Sequence, residues 1–131
     1  MTTIVGMLVR HSAAARKPMA QVLRSHGVQV VEAGSAAEAY GLALFGQLHC
    51  VILDLGDADG LELCHRFRST PVTSALPVVL VVHGTGVADS DVRAAGVSAV
   101  LSAQQTIDDL LLAIRRAVAV PGATELARLP A

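Results

Sequence analysis

"VILDLGDADGLELC", residues 51–64, decides the fold class. A continuous apolar run ends on Asp54, a turn containing Gly56, Asp57 and Asp59 follows, and a helix-like segment begins at Gly60. A run that is apolar at every position suits a strand covered on both faces. It presents a carboxylate at the carboxyl end of that strand. The same unit repeats outward in both directions. "TIVGMLV" (3–9), "VQVV" (28–31), "CVILDL" (50–55), "PVVLVV" (77–82) and "SAVLS" (98–102) predict strands. Residues 13–26, 35–46, 60–69, 87–95 and 106–120 predict the helices between and after them.

Local signals mark several helix ends. Ser35 and Glu38 have capping-box spacing, and Gly46 suits a helix stop. Thr106 can cap the last helix, with Asp108 and Asp109 at its positive end and Arg115 and Arg116 towards its negative end. In the first helix Met19, Val22 and Leu23 share a face, but Pro18 predicts a late start or a kink. Residues 1–120 are expected to form one domain, with 121–131 as a frayed, flexible tail.

A strand–helix unit used five times predicts a single doubly wound α/β sheet, five parallel strands in the order 2-1-3-4-5. Such sheets place their chemistry outside the carboxyl ends of the strands, near the switch in strand order. Residues that should gather there are Arg10 and His11, then Asp54 with Asp57 and Asp59. Val82 and His83, and Ser102 to Gln104 around Ala103, complete the set.

Composition narrows the function classes. The 131 residues suit one domain with one core, and 53% are hydrophobic, largely Ala, Val and Leu. No apolar stretch reaches the ~18 residues that cross a bilayer. The only aromatics are Tyr40, Phe45 and Phe67, and the net charge is −1, so neither base stacking nor a basic footprint favours nucleic acid or anionic lipid. Cys50 and Cys64 make no CxxC or zinc pattern and are expected to be buried, reduced thiols. The N-terminus "MTTIVGMLVRHS" lacks the basic start and cleavage site of a signal peptide, which points to the cytoplasm.

Over roughly residues 3–120 the chain resembles the receiver domain of bacterial response regulators, the CheY-like superfamily. "ILDLGDADGLELCHRFR" resembles that family's third strand, phosphoacceptor aspartate and following helix; "LPVVLVV" resembles its fourth strand; "AAGVSAVLS" resembles the turn into its fifth. Arg16, Met19, Leu23 and Gly27 fall at similar spacings in and after the first helix. The resemblance implies a signalling module of a two-component pathway or phosphorelay, with Asp54 as phosphoacceptor. It also implies an acidic pair holding Mg²⁺, a Thr or Ser after strand four and a Lys after strand five. The metal and Lys offset charge on the transferring phosphoryl group.

At those positions this chain has Arg10 and His11, Val82, and Ala103. Gln104 and Val100 replace the usual proline and strand-five aromatic, and the Asp54–Gly60 loop is two residues short of the usual spacing. These departures predict a pseudo-receiver: not an enzyme, without cofactor, and with Asp54 inactive because Mg²⁺ lacks its carboxylates. Arg10 should either pair with Asp54, Asp57 or Asp59 or point to solvent. His11 and His83 could approach Asp54, but no ligand motif supports a transition metal. Ser12 suits a helix cap, and "GTGVAD" (84–89) a flexible loop. His26, His49 and His65 suit helix-end or surface positions.

The leading functional expectation is a stand-alone module working by protein–protein contact. Its partner would be another signalling protein or a second copy, bound on the face of helix four, strand five and helix five. Arg93, Asp108, Asp109, Arg115 and Arg116 would supply a polar rim there. A phosphoacceptor receiver charged on Asp54 by a histidine kinase is the alternative, and a pseudo-receiver sensing a small molecule is a further one. No output region follows residue 120, which leaves a partner, self-association or a longer parent chain as the route to action.

Overall fold

Strands form on the apolar runs of the sequence: β1 (Val5–Arg10), β2 (Gln29–Ala33, which also carries Gln29 and Glu32), β3 (Cys50–Asp54), β4 (Val78–Val82) and β5 (Ala99–Ser102). The helices are α1 (Ala13–Ser25), α2 (Ala36–Ala43), α3 (Asp57–Ser69), α4 (Asp89–Ala95) and α5 (Ile107–Val118). The computed structural model describes residues 3–84 and 87–119. The expected tail at 121–131 and part of the 84–89 loop lie outside the described residues. The five strands are all parallel, in the order β2-β1-β3-β4-β5. This is the flavodoxin-like, CheY-like arrangement that the sequence predicts.

The pleat divides the core in two. Met7, Val9, Val51, Leu53, Val78 and Leu80 face α2, α3 and the end of α4, around the fully buried Phe67. Leu8, Ile52, Val79, Val81 and Leu101 face α1 and α5, through Leu23, Leu110 and Ile114. Burial on both faces explains why the inner strands β1, β3 and β4 read as apolar runs. Cys50 and Cys64 are buried and unpaired, as expected. Burial pushes the Cys50 thiol up to about 12 and raises that of Cys64 too.

Four local details depart from the sequence expectation. Pro18 neither delays nor ends α1, which begins at Ala13. Ala14 and Pro18 are exposed, so water can reach the backbone where the proline removes a donor. Val22 is 39% exposed and Ala20 takes the buried place beside Leu23. The helix predicted from residue 60 starts at Asp57: Gly56, at φ 99°, makes the turn, and Asp57 and Asp59 occupy the first turn. His49 is half-buried rather than superficial, and its Nδ1 accepts the Val5 N–H at 2.9 Å.

Caps follow the sequence more closely. Ser12 Oγ accepts the Ala15 N–H at 3.3 Å, and Thr106 and Asp109 form a complete capping box. Ser35 caps Glu38 at 3.1 Å, but the Glu38 carboxylate returns to the Gly34 N–H at 2.7 Å. Helix α4 leans on α3. Cys64 Sγ donates to the Ala95 carbonyl at 3.1 Å, and Arg68 donates to the Gly96 carbonyl from Nε at 3.0 Å and Nη2 at 2.8 Å. With α4 drawn that way, Val100 on the edge strand β5 is left 45% exposed.

Candidate functional site

Register builds the site. Strands β1 and β3 are parallel neighbours, and their alignment sets Arg10 directly beside Asp54 at the carboxyl ends. Both side chains therefore lean to the α1–α5 side of the sheet, one step beyond Leu8 and Ile52. The Arg10 Nε lies 3.5 Å from Asp54 Oδ2. His83 follows β4 directly, and its Nε2 donates to Asp54 Oδ1. The His83 backbone N–H points to Asp57 Oδ1 at 3.3 Å, which fixes the start of the β4–α4 connection over the start of α3. Asp54 is only 7% exposed, so each of its oxygens is matched by a side chain at a nearly dry position.

The sequence-predicted residues divide into two groups. Arg10, Asp54, Asp57 and His83 come together. Asp59 is exposed and makes no hydrogen bond to that group. His11 turns away towards β2, where its Nδ1 donates to the Gly34 carbonyl at 3.1 Å. The two histidines therefore share no site. Among the described residues, no three His, Cys, Asp or Glu side chains gather as a metal-binding group. Val82 is aligned with Ser102, and the Ala103 N–H donates to the Val82 carbonyl at 2.9 Å, so Ala103 sits at the mouth of the site with only a methyl group.

That small side chain borders a cleft of about 380 Å³ between the ends of β1, β4 and β5 and the first turns of α5. Sequence reasoning missed most of its walls. Met19, Leu101, Ile107 and Leu110 carry only core-like helix and strand spacing, and Gln105 carries no signal at all. Gln105 Oε1 accepts the Ser102 N–H at 2.6 Å, and the Gln104 N–H donates to Ser102 Oγ at 3.3 Å, so the loop below Ala103 satisfies itself.

A second network anchors Arg10 from behind. Arg16 donates through Nη1 to the Arg10 carbonyl and through Nε to Glu32, each at 2.9 Å. The Arg16 hydrogen bond holds the Glu32 carboxyl below its usual value, against the opposite effect of burial, with Lys17, Arg16 and Arg24 adding favourable charge.

The expected contact residues lie on α4 and α5. Arg93 is exposed on α4, Asp108, Arg115 and Arg116 are exposed on α5, and Asp109 is partly turned into its own cap. Arg115 borders a cleft with His26, Gly27 and Val28 at the α1–β2 corner. Arg116, one residue or about 100° further round the helix, is exposed and points away from that corner.

A family model, the response regulator receiver domain, matches residues 7–115. The chain belongs to that family. Solved structures agree on the fold of this receiver domain. A response regulator structure from Chloroflexus aurantiacus superposes with a TM-score of 0.81 at 22% identity, covering 91% of this chain and 100% of that one. A response regulator receiver protein from Pseudomonas putida gives 0.74 at 25% identity, over 88% and 98% of the two chains. The receiver domain of a sensor histidine kinase from Pseudomonas aeruginosa, which has magnesium coordinated in its active-site cleft, gives 0.78 at 15% identity, over 91% and 100%. No curated protein matches the chain. This is a two-component signalling receiver domain, and no helix among its described residues is long and apolar enough to cross a membrane.

Proposed function

We propose that this receiver works by protein–protein contact without the Mg²⁺-dependent phosphorylation of Asp54. The observation that carries the proposal is the double engagement of that carboxylate by Arg10 and His83. Mg²⁺ takes oxygen ligands in near-octahedral geometry and is usually held by carboxylates. Here the neighbour of Asp54 on β1 is a guanidinium, which repels a dication and already balances the aspartate. The residues do not fit the metal. Nor is there a hydroxyl at Val82 or an ammonium at Ala103 to meet phosphoryl oxygens, and such contacts are most of what phosphoryl transfer asks of a protein.

The module is then a non-enzymatic, cytoplasmic one that docks a signalling protein or a second copy of itself on the α4–β5–α5 face. Exposed Val100 on β5 offers an apolar point there, and the exposed Arg93 of α4 and Arg116 of α5 offer charge on the neighbouring helices. The deciding experiment treats the protein with acetyl phosphate and Mg²⁺ and measures its intact mass. The expected mass is unchanged. A hydroxylamine-sensitive phosphoryl adduct that disappears in Asp54→Ala would overturn the proposal in favour of the phosphoacceptor alternative.

A further inference from the structure

We propose that the cleft beside Asp54 binds a small amphipathic carboxylate, with the anionic group on Arg10 and an apolar body over Met19, Leu101, Ile107 and Leu110. The cleft's two ends differ in chemistry. Its inner wall is apolar: Val81, Leu101 and Leu110 are at most 7% exposed, and Met19 and Ile107 pack against them. Its outer end holds a guanidinium whose side chain is 28% exposed. Arg10 has only the 3.5 Å ion pair through Nε, and among the described residues none of its side-chain N–H groups donates a hydrogen bond within the protein. Among the neighbouring polar groups, Gln105 Oε1 accepts the Ser102 N–H, Ser102 Oγ accepts the Gln104 N–H, and Thr106 closes its capping box with Asp109. Open donors in this cleft include the terminal amino groups of Arg10, the one guanidinium in its lining, and the neutral side-chain amide of Gln105.

An arginine offers a planar fork that matches a carboxylate with two parallel hydrogen bonds. Asp54 need not leave for this to happen. It meets Arg10 at Nε, its other oxygen is held by His83, and the terminal amino groups remain for a ligand. Volume selects the rest of the molecule. At about 30 Å³ per water, 380 Å³ is room for roughly a dozen non-hydrogen atoms. A bare inorganic anion would leave the apolar wall wet, whereas a neutral hydrocarbon would cover the terminal N–H groups of Arg10 without accepting a hydrogen bond from them. A carboxylate on a short aryl or alkyl body satisfies both ends. The cleft is open because Ala103 has no chain to lay across it.

This inference rests on Arg10, rather than a metal, neighbouring Asp54, but its test involves neither Mg²⁺ nor a phosphoryl donor. The two proposals can therefore fail separately. Phenylpropionate, phenylpropionamide and inorganic phosphate are titrated into the protein, with amide chemical shifts and calorimetry as readouts. Phenylpropionate is expected to bind with a Kd of about 1 mM, ordinary for a ligand of that size. The shifts should cluster at Leu101, Ser102 and Ile107. The amide and phosphate should each bind about tenfold or more weakly, since one lacks the charge and the other the apolar body. Arg10→Gln should erase the preference for acid over amide, and Ala103→Phe, at an exposed position, should close the cleft and abolish binding while the spectrum stays folded. Equal affinity for acid and amide in the unaltered protein overturns the proposal. So does equal affinity for phosphate, a shift pattern away from the cleft, or no shift at about 10 mM ligand, well beyond the expected range.

Discussion

Asp54 is a buried carboxylate whose charge is met from two sides, and that makes each partner's removal asymmetric. Arg10→Met leaves the aspartate facing only His83, and a buried charge that loses a partner costs more than the pair gained. Because Arg10 is itself 28% exposed, the expected loss is modest, about 1 kcal/mol in urea unfolding. Asp54→Asn in the Arg10→Met background should cost less than in the native protein, and additivity would show that the two side chains are uncoupled. The cysteines supply a pH-dependent counterpart. The Cys50 thiol is pushed from an ordinary 9.0 up to about 12, so the folded state holds its proton where the unfolded chain has released it. That contribution to stability is intact below pH 9 and is lost as pH rises from 9.0 towards 12. Cys50→Ala should flatten the alkaline limb of the stability curve, and neither thiol should react with a disulfide reagent at neutral pH until the protein is unfolded. At this scale the sequence was partly legible. Asp54 ends an apolar run, and Arg10 ends another, so their meeting needs only parallel register. His83 on Asp54 had no spacing to announce it, because the turn that aims its ring depends on Asp57 holding its backbone from another element.

Elements were legible wherever one physical signal dominated. Apolar runs marked the strands, most plainly the buried β1, β3 and β4, and Thr106 with Asp109 marked the start of α5. Signals failed where two competed. Asp57 and Asp59 suit a loop by propensity, yet they favour the positive end of a helix once Gly56 makes the turn, so α3 begins earlier than its apolar pattern. Pro18 argues against a helix interior, yet tertiary burial of Ala20 and Leu23 holds α1 together through it. That tolerance has a measurable cost. Pro18 removes the N–H that would reach the Ala14 carbonyl, and its substitution by alanine should restore one backbone bond while loosening the unfolded chain slightly. Pro18→Ala is therefore expected to raise stability by about 1–2 kcal/mol, less than the full helix-interior penalty of proline. Chemical denaturation reads this directly, and a loss of stability would mean that the ring contributes packing that its exposure does not suggest.

At the scale of the whole molecule, the Asp54 end of the sheet and its β5 edge are uncoupled under the proposed function, because Val100 has no ring and Val82 no hydroxyl. A signal that repacked one would have no side chain through which to repack the other. The edge nevertheless remains suited to contact, because α4 is tied to α3 by Cys64 and Arg68 and leaves Val100 uncovered. If this face docks a second copy or a partner constitutively, Val100→Asp places a charge at the apolar centre and should weaken association at least about tenfold. Arg116→Glu reverses an exposed charge on α5 and should weaken it less, mainly through the rate of encounter and most at low salt. Arg115→Glu is the internal control, since that side chain borders the α1–β2 corner and should leave association unchanged. Asp54→Ala should also leave it unchanged. Light scattering across these four variants, with a matched pull-down, separates the possibilities. Association lost in Asp54→Ala but retained in Val100→Asp would mean that the site and another surface, rather than the β5 edge, govern how this receiver meets its partner.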